Sequence, residues 1–248
     1  MSTPQSGIFA LGTASHAYLE LDAGEQGAAR ELVSVVASLR EPRTTMGGIN
    51  LVTGFRPDLW RVVAPDDAPP GLQGFDADLV GAEGYRMPAT QHDAVLWLSG
   101  SAYDVVFECA RAAIAALYDV ATVAEETSSW PYQHDRDLTG FIDGSENPTL
   151  IEAPEFAVIG EGPGAGGTIL LLQKWSHDAA GDEVDAAHRR ARLAQRGDRG
   201  DEARTGSFVG IELEIGVRRR AEREHPCLRG LCHFGASLRL PASLGVRP

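Results

Sequence analysis

Lysine is almost missing from this chain: Lys174 is the only one in 248 residues, and every other basic side chain is arginine. Cysteine is scarce too. Cys109, Cys227 and Cys232 cannot all pair, and Cys109 falls in a stretch that reads as a buried helix, so no disulfide framework is expected. No apolar run approaches the roughly 20 residues a membrane span needs. The N-terminal stretch MSTPQSGIFALG lacks the basic start and long apolar segment of a secretory signal. Together these absences predict a cytoplasmic protein with no membrane partner. Positive charge is short overall, at a net −13, which argues against nucleic acid as a partner because phosphates demand a cationic surface. There is no G-x-S-x-G elbow and no H-E-x-x-H pair, hence no signal for those hydrolases. The glycine-rich GEGPGAGG at 160–167 has no Lys-Ser/Thr after it and runs into strand-like sequence, so it reads as a hairpin turn rather than a phosphate loop.

What is present is a core-forming chain, 43% hydrophobic, long enough for one large domain or two modest ones. HAYLELDA (16–23) alternates with period two, as a half-buried strand does. Next, GAARELVSVVASLREP sets Leu32, Val35, Val36 and Leu39 on one helical face before Pro42 stops it. GINLVTGFRPDLWRVV supplies a strand and a tight turn, and a loop rich in Asp, Pro and Gly comes next at 65–88. HDAVLWLSG is a third strand. SAYDVVFECARAAIAALYDV is a long amphipathic helix with Ser101 or Asp104 near its start, and ATVAEETSSW is a fourth strand. The order strand, helix, strand, strand, helix, strand is the ferredoxin-like split βαβ pattern, an α+β fold with an antiparallel sheet under two helices.

A second copy of that module could begin at GGTILLLQKWSHD (166–178), but it does not continue clearly. Residues 1–187 hold 9 basic and 28 acidic side chains, net −19, whereas residues 188–248 hold 13 and 7, net +6. In that last part only SFVGIELEIG reads as a strand, with 187–194 as a possible helix extension. The expected organisation is therefore a complete first module over 1–150 and an incomplete second one with an arginine-rich tail over 151–248.

The stretch DLTGFIDGSENPT (137–149) gathers three carboxylates, two glycines, an Asn-Pro pair and one apolar pair, Phe141 and Ile142. Such a backbone can press against a ligand and hold Asp143 in a dry space where its proton affinity is tuned. Asp-Gly is equally a plain turn between strands. Asp143 and Glu146 could do acid-base work, and spacing alone does not separate this from a solvated turn. His225 and His233 flank Cys227 and Cys232 as H-x-C-x4-C-H, a potential zinc set whose spacing matches no common zinc module. His16, His92, His134 and His177 read as surface or structural residues, and His188 lies in the arginine-rich helix.

Three segments taken together carry a family resemblance: QSGIF at 5–9, RDLTGFIDGSENPT at 136–149, and GGTILLLQKWSHD at 166–178. In this order and spacing the chain resembles the dye-decolorizing peroxidases, with Gly140, Phe141, Ile142, Asp143 and Gly144 in the place of their G-x-x-D-G hallmark. The resemblance covers roughly residues 1–178. It implies two ferredoxin-like halves of the dimeric α+β barrel type and haem b as cofactor. It also implies hydrogen peroxide and dyes or phenolic compounds as reactants, a homo-oligomer, and in some relatives an encapsulating shell protein. Asp143 would be the distal acid-base group, with Gly144, Ser145 and Glu146 along the haem edge.

The resemblance fades where the axial histidine and distal arginine belong. The nearest likenesses are His225, in EREHPCLRG, as the metal ligand and Arg239, in SLRLPASLG, as the distal arginine. The charge reversal and the lost motifs predict that the chain after about residue 180 is an altered or frameshifted end of a peroxidase gene. Two readings compete with a haem peroxidase: a non-catalytic α+β scaffold that has lost haem binding, and another small-molecule enzyme on the same fold that uses Asp143 without haem.

Overall fold

A computed structural model describes residues 4–24, 28–40, 48–81, 84, 86–132, 147–178, 207–216 and 235–243, with the backbone alone described at 175–178, 207–216 and 235–243. The chain falls into two compact units, residues 1–128 with 159–167, and residues 129–158 with 168–248.

In the first unit, β1 (Ser15–Ala23), β2 (Asn50–Phe55), β5 (Ala94–Gly100) and β6 (Ala121–Ser129) form one sheet in the order β2-β5-β1-β6. β5 runs antiparallel to both β1 and β2, with Leu19 opposite Leu96 and Thr53 opposite Leu96 on the other side. Helices α1 (Ala28–Ser38) and α3 (Tyr103–Leu117) complete the split βαβ arrangement that the sequence predicts. The core forms where the period-two face of β1, Ala17, Leu19 and Leu21, meets the period-3.6 faces of the helices. Leu32 and Val36 come from α1, and Val106, Ala110, Ala113 and Leu117 from α3. At about 25 cal/mol per Å² of apolar surface, burying each such Leu or Val contributes roughly 1.5–3 kcal/mol.

Several expectations change in detail. β1 is not simply half-buried: residues 15–19 are buried on both faces, and alternation begins only after them. The second face carries His16 and Tyr18 of β1 beside Trp97 of β5, all buried, with near-parallel rings. α3 is capped by neither Ser101 nor Asp104; Ala102 is its N-cap, without a side-chain hydrogen bond, and Asp104 stands in the first turn, where a carboxylate faces the positive end of the helix dipole. The tight turn expected after β2 is a helix, α2 (Pro57–Val63), with Pro57 in the first turn and Leu59 buried. Arg30 of α1 donates to the carbonyls of Val62 and Val63 at 3.1 and 3.2 Å, closing the end of α2. Within the 65–88 loop a two-residue hairpin, β3 (Leu79–Val80) with β4 (Arg86–Met87), is held by an Arg86–Asp78 ion pair.

The second unit contains α4 (Ala153–Ala157) and a three-stranded antiparallel sheet, β7 (Leu170–Asp178), β8 (Ser207–Gly216) and β9 (Gly235–Ser243), in the order β7-β8-β9. β8 is the strand predicted at SFVGIELEIG. β9 was not predicted, since GASLRLPAS contains Pro241 and small residues in place of a β-branched run. The possible helix at 187–194 lies outside the described residues.

Candidate functional site

Of the three segments that single this chain out, QSGIF is the most fully described. The Gln5 side chain completes β2 much as a neighbouring strand would. Its Nε2 donates to the Thr53 carbonyl at 2.8 Å, and its Oε1 accepts from the Thr53 backbone N–H at 2.8 Å and from the Thr53 hydroxyl at 3.2 Å. Gly7, in the short 3-10 turn Ser6–Phe9, lies so close to β2 that a Cβ there would sit 2.7 Å from Cγ2 of Val52. Ile8 is buried. The motif is thus an anchor of the first unit.

The central loop has described flanks. It leaves β6 after the buried Thr127 and Ser129 and passes the half-buried Trp130, Pro131 and Tyr132. On its far side the chain is fixed by a local knot of hydrogen bonds. The Thr149 hydroxyl donates to Oε2 of Glu152 at 2.6 Å, the Thr149 N–H donates to the same oxygen at 3.3 Å, and the Glu152 N–H donates back to the Thr149 carbonyl at 2.9 Å. The hydroxyl first, then the backbone N–H, hold the Glu152 carboxyl below the usual range. These bonds close a turn just before α4, whose N-cap is Glu152, without a side-chain capping hydrogen bond. Asp143, Gly144, Ser145 and Glu146 lie outside the described residues, as does His225 with its neighbours Cys227, Cys232 and His233. Arg239 is in β9, where the register sets it opposite Glu212 of β8.

The glycine-rich 160–167 segment is the predicted turn. Ile159 N–H donates to the Gly167 carbonyl at 2.9 Å, Gly166 N–H to Ile159 at 2.8 Å, Gly167 N–H to Gly164 at 2.8 Å and Ala165 N–H to Gly162 at 3.0 Å, so the loop closes on itself through its own amides. The turn leads into β7, not into a helix.

The histidines with described side chains do not fit a haem iron. His16 is buried at 1% exposure, with Nδ1 accepting from Trp97 Nε1–H at 3.2 Å and Nε2 3.3 Å from the Thr13 hydroxyl. Burial, opposed weakly by a Thr13 backbone hydrogen bond, lowers its pKa to about 4. His92 has Nδ1 3.0 Å from Asp22 and Nε2 4.0 Å from Glu20. Among the described residues no cluster of three or more His, Cys, Asp or Glu could hold a metal ion. The His16–Trp97 pair was not foreseen; its signal, a histidine and a tyrosine two apart in an apolar strand, is visible in HAYLEL once the second face is known to be buried.

Residues 134–192 match the family model described as Dyp-type peroxidase, C-terminal. The dye-decolorizing peroxidase of Brevibacterium linens is 28% identical over 171 residues, 67% of this chain and 46% of that protein. That of Mycolicibacterium paratuberculosis is 30% identical over 168 residues, 64% of this chain and 46% of its own length. The chain thus spans about half the length of the curated relatives it matches. Among solved structures, a variant of Rhodococcus jostii DypB in complex with heme superposes with a TM-score of 0.68 at 25% identity, covering 86% of this chain and 78% of that one. A dye-decolorizing peroxidase from Bacteroides thetaiotaomicron, at 19% identity and a TM-score of 0.64 over 88% of this chain and 78% of its own, shares the fold.

Proposed function

We propose that this chain, which is similar to the dye-decolorizing peroxidases in sequence and fold, reduces hydrogen peroxide with haem b as cofactor and oxidises dyes or phenolic compounds. The observation that carries this reading is the coincidence of the G-x-x-D-G loop, Gly140 to Gly144, with a family-model match that spans it and continues through QKWSHD. Haem, when bound, supplies an iron that holds peroxide and passes on the oxidising equivalents that an aromatic reductant then fills with electrons. The chain's own contribution is proton management. The Asp143 carboxylate would take a proton from hydrogen peroxide and return it to the departing oxygen, so that this oxygen could leave as water while haem supplied the electrons. Arg239 would offset negative charge developing on that oxygen. His225 would hold the iron, and Gly144, Ser145 and Glu146 would help bind the haem.

The same reading places the protein in the cytoplasm as a homo-oligomer, with a shell protein as an encapsulating partner. Titration of the purified chain with haemin tests its first requirement: a Soret band that saturates at one equivalent, and that moves when His225 is replaced by Ala, is expected. A chain that gives no such band at saturating haemin is not a haem peroxidase, and the scaffold reading takes its place.

A further inference from the structure

Three buried rings share the second face of β1 and β5. The ladder sets Tyr18 directly opposite Trp97, and His16, two residues back along β1, is the diagonal neighbour on the same face, within reach of a large side chain. His16 and Tyr18 are 1% exposed and Trp97 2%. The ring centroids lie 6.1 to 6.5 Å apart, with interplanar angles between 11° and 24°.

The chemistry lies in which atom satisfies the indole. Tryptophan is a donor only, so its buried Nε1–H needs an acceptor. A backbone carbonyl or a hydroxyl would serve for packing, but neither can keep a proton. Here the acceptor is Nδ1 of His16 at 3.2 Å, which is also a base and stands at the distance a proton transfer requires. On the far side of the imidazole, Nε2 lies 3.3 Å from the Thr13 hydroxyl. A ring protonated on both nitrogens therefore keeps both partners: the Thr13 hydroxyl accepts from Nε2–H, and a deprotonated indole nitrogen accepts from Nδ1–H. An intact indole does not release this proton, but loss of one electron leaves a positive charge on the ring and turns its N–H into a strong acid. Burial keeps bulk water from the rings, so His16 is the base in contact. Burial also disfavours the imidazolium, lowering the His16 pKa to about 4, so the proton stays there only while the indole is oxidised and returns with the electron.

We propose that Trp97 and His16 form a proton-coupled redox pair. When a strong one-electron oxidant takes an electron from the indole, the Nε1–H bond breaks and the proton moves to Nδ1 of His16. A neutral indolyl radical and an imidazolium result, with one positive charge added to the pair and one removed from the oxidant. Only the source of that oxidant rests on the peroxidase reading, in which haem oxidised by peroxide draws the electron when no reductant is bound.

The test is flash photolysis of the full chain without haemin, with photogenerated tris(bipyridine)ruthenium(III) as the oxidant, so the result stands whether or not the chain binds haem. Transient absorption distinguishes a neutral tryptophan radical from its protonated cation. The part of the signal lost in Trp97→Phe, which leaves Trp60, Trp130 and Trp175 in place, belongs to Trp97 and should be the neutral radical. It should fall at least tenfold in His16→Gln, whose amide oxygen still accepts from the indole but cannot hold a proton. Electron paramagnetic resonance of the frozen wild type needs no variant: a hydrogen bond from the imidazolium to the indolyl nitrogen should appear as an exchangeable proton coupling. A radical signal undiminished by Trp97→Phe overturns the proposal. So does a neutral-radical yield in His16→Gln equal to that of the wild type, or a wild-type spectrum without the exchangeable coupling.

Discussion

The indole N–H of Trp97 donates to Nδ1 of His16 across the β1–β5 ladder at 3.2 Å, with both rings buried. This bond fixes the tautomer: Nδ1 accepts, so the ring proton sits on Nε2, facing the Thr13 hydroxyl. The arrangement holds only the neutral imidazole, which is why burial lowers the pKa from 6.5 to about 4. Above pH 6.5 the ring is neutral folded or unfolded, and the contribution is intact. As pH falls below 6.5 the unfolded chain takes up a proton that the folded chain refuses, so stability is lost down to about pH 4, by roughly 3 kcal/mol. Urea unfolding at pH 7.5, 5.5 and 4.2, on the wild type and His16→Gln, checks this. The variant should be less stable at pH 7.5 and show a shallower fall; equal slopes would contradict it.

Gly7 is the residue of QSGIF that packing constrains most. A methyl there would overlap Val52, so Gly7→Ala should cost about 1–3 kcal/mol. Gln5→Ala, which strips the Thr53 N–H of its acceptor, should cost about 1–2 kcal/mol. Thermal melts of both variants measure it, and a Gly7→Ala protein as stable as wild type would show that β2 gives way freely.

Gly164 adopts φ +78, and a Cβ on it would lie 2.5 Å from Cγ of Pro69. Gly164→Ala therefore meets backbone strain and a clash together, and should lose about 1–3 kcal/mol. Gly160→Ala, with nothing near its added methyl, is the control that should change little.

An altered reading frame after about residue 180 would have a direct consequence in the coding DNA. One of the other two frames, read beyond the QKWSHD codons, should encode a Ser-His pair followed by an Arg-x-x-x-Pro-Tyr-Gly-like segment and a lysine-containing composition. If neither frame does, the arginine-rich end is the gene's own.

Most of the first unit was legible because its periodicities are local. Leu32, Val35, Val36 and Leu39 mark a helix by spacing alone, and the antiparallel sheet with two helices followed from a pattern of six elements. The features that escaped depended on partners far off in sequence. The second buried face of β1 exists through Trp97, 81 residues from His16, and α2 hid behind Arg-Pro-Asp, which serves a turn as well as a helix start. β9 was hidden by Pro241. Of the proposed site only the loop carries a sequence signal. Asp143 stands in a G-x-x-D-G motif, whereas His225 and Arg239 stand in sequence whose charge and patterning differ from everything before residue 180.

The central claim is that Asp143 moves the proton that lets water leave. Stopped-flow mixing of the haemin-loaded chain with hydrogen peroxide, wild type against Asp143→Asn, measures it most directly. With haem content equal in both, the reaction with peroxide should slow by about 10²- to 10⁴-fold in the variant. Unchanged kinetics at equal haem content would contradict the claim and remove Asp143 from the chemistry.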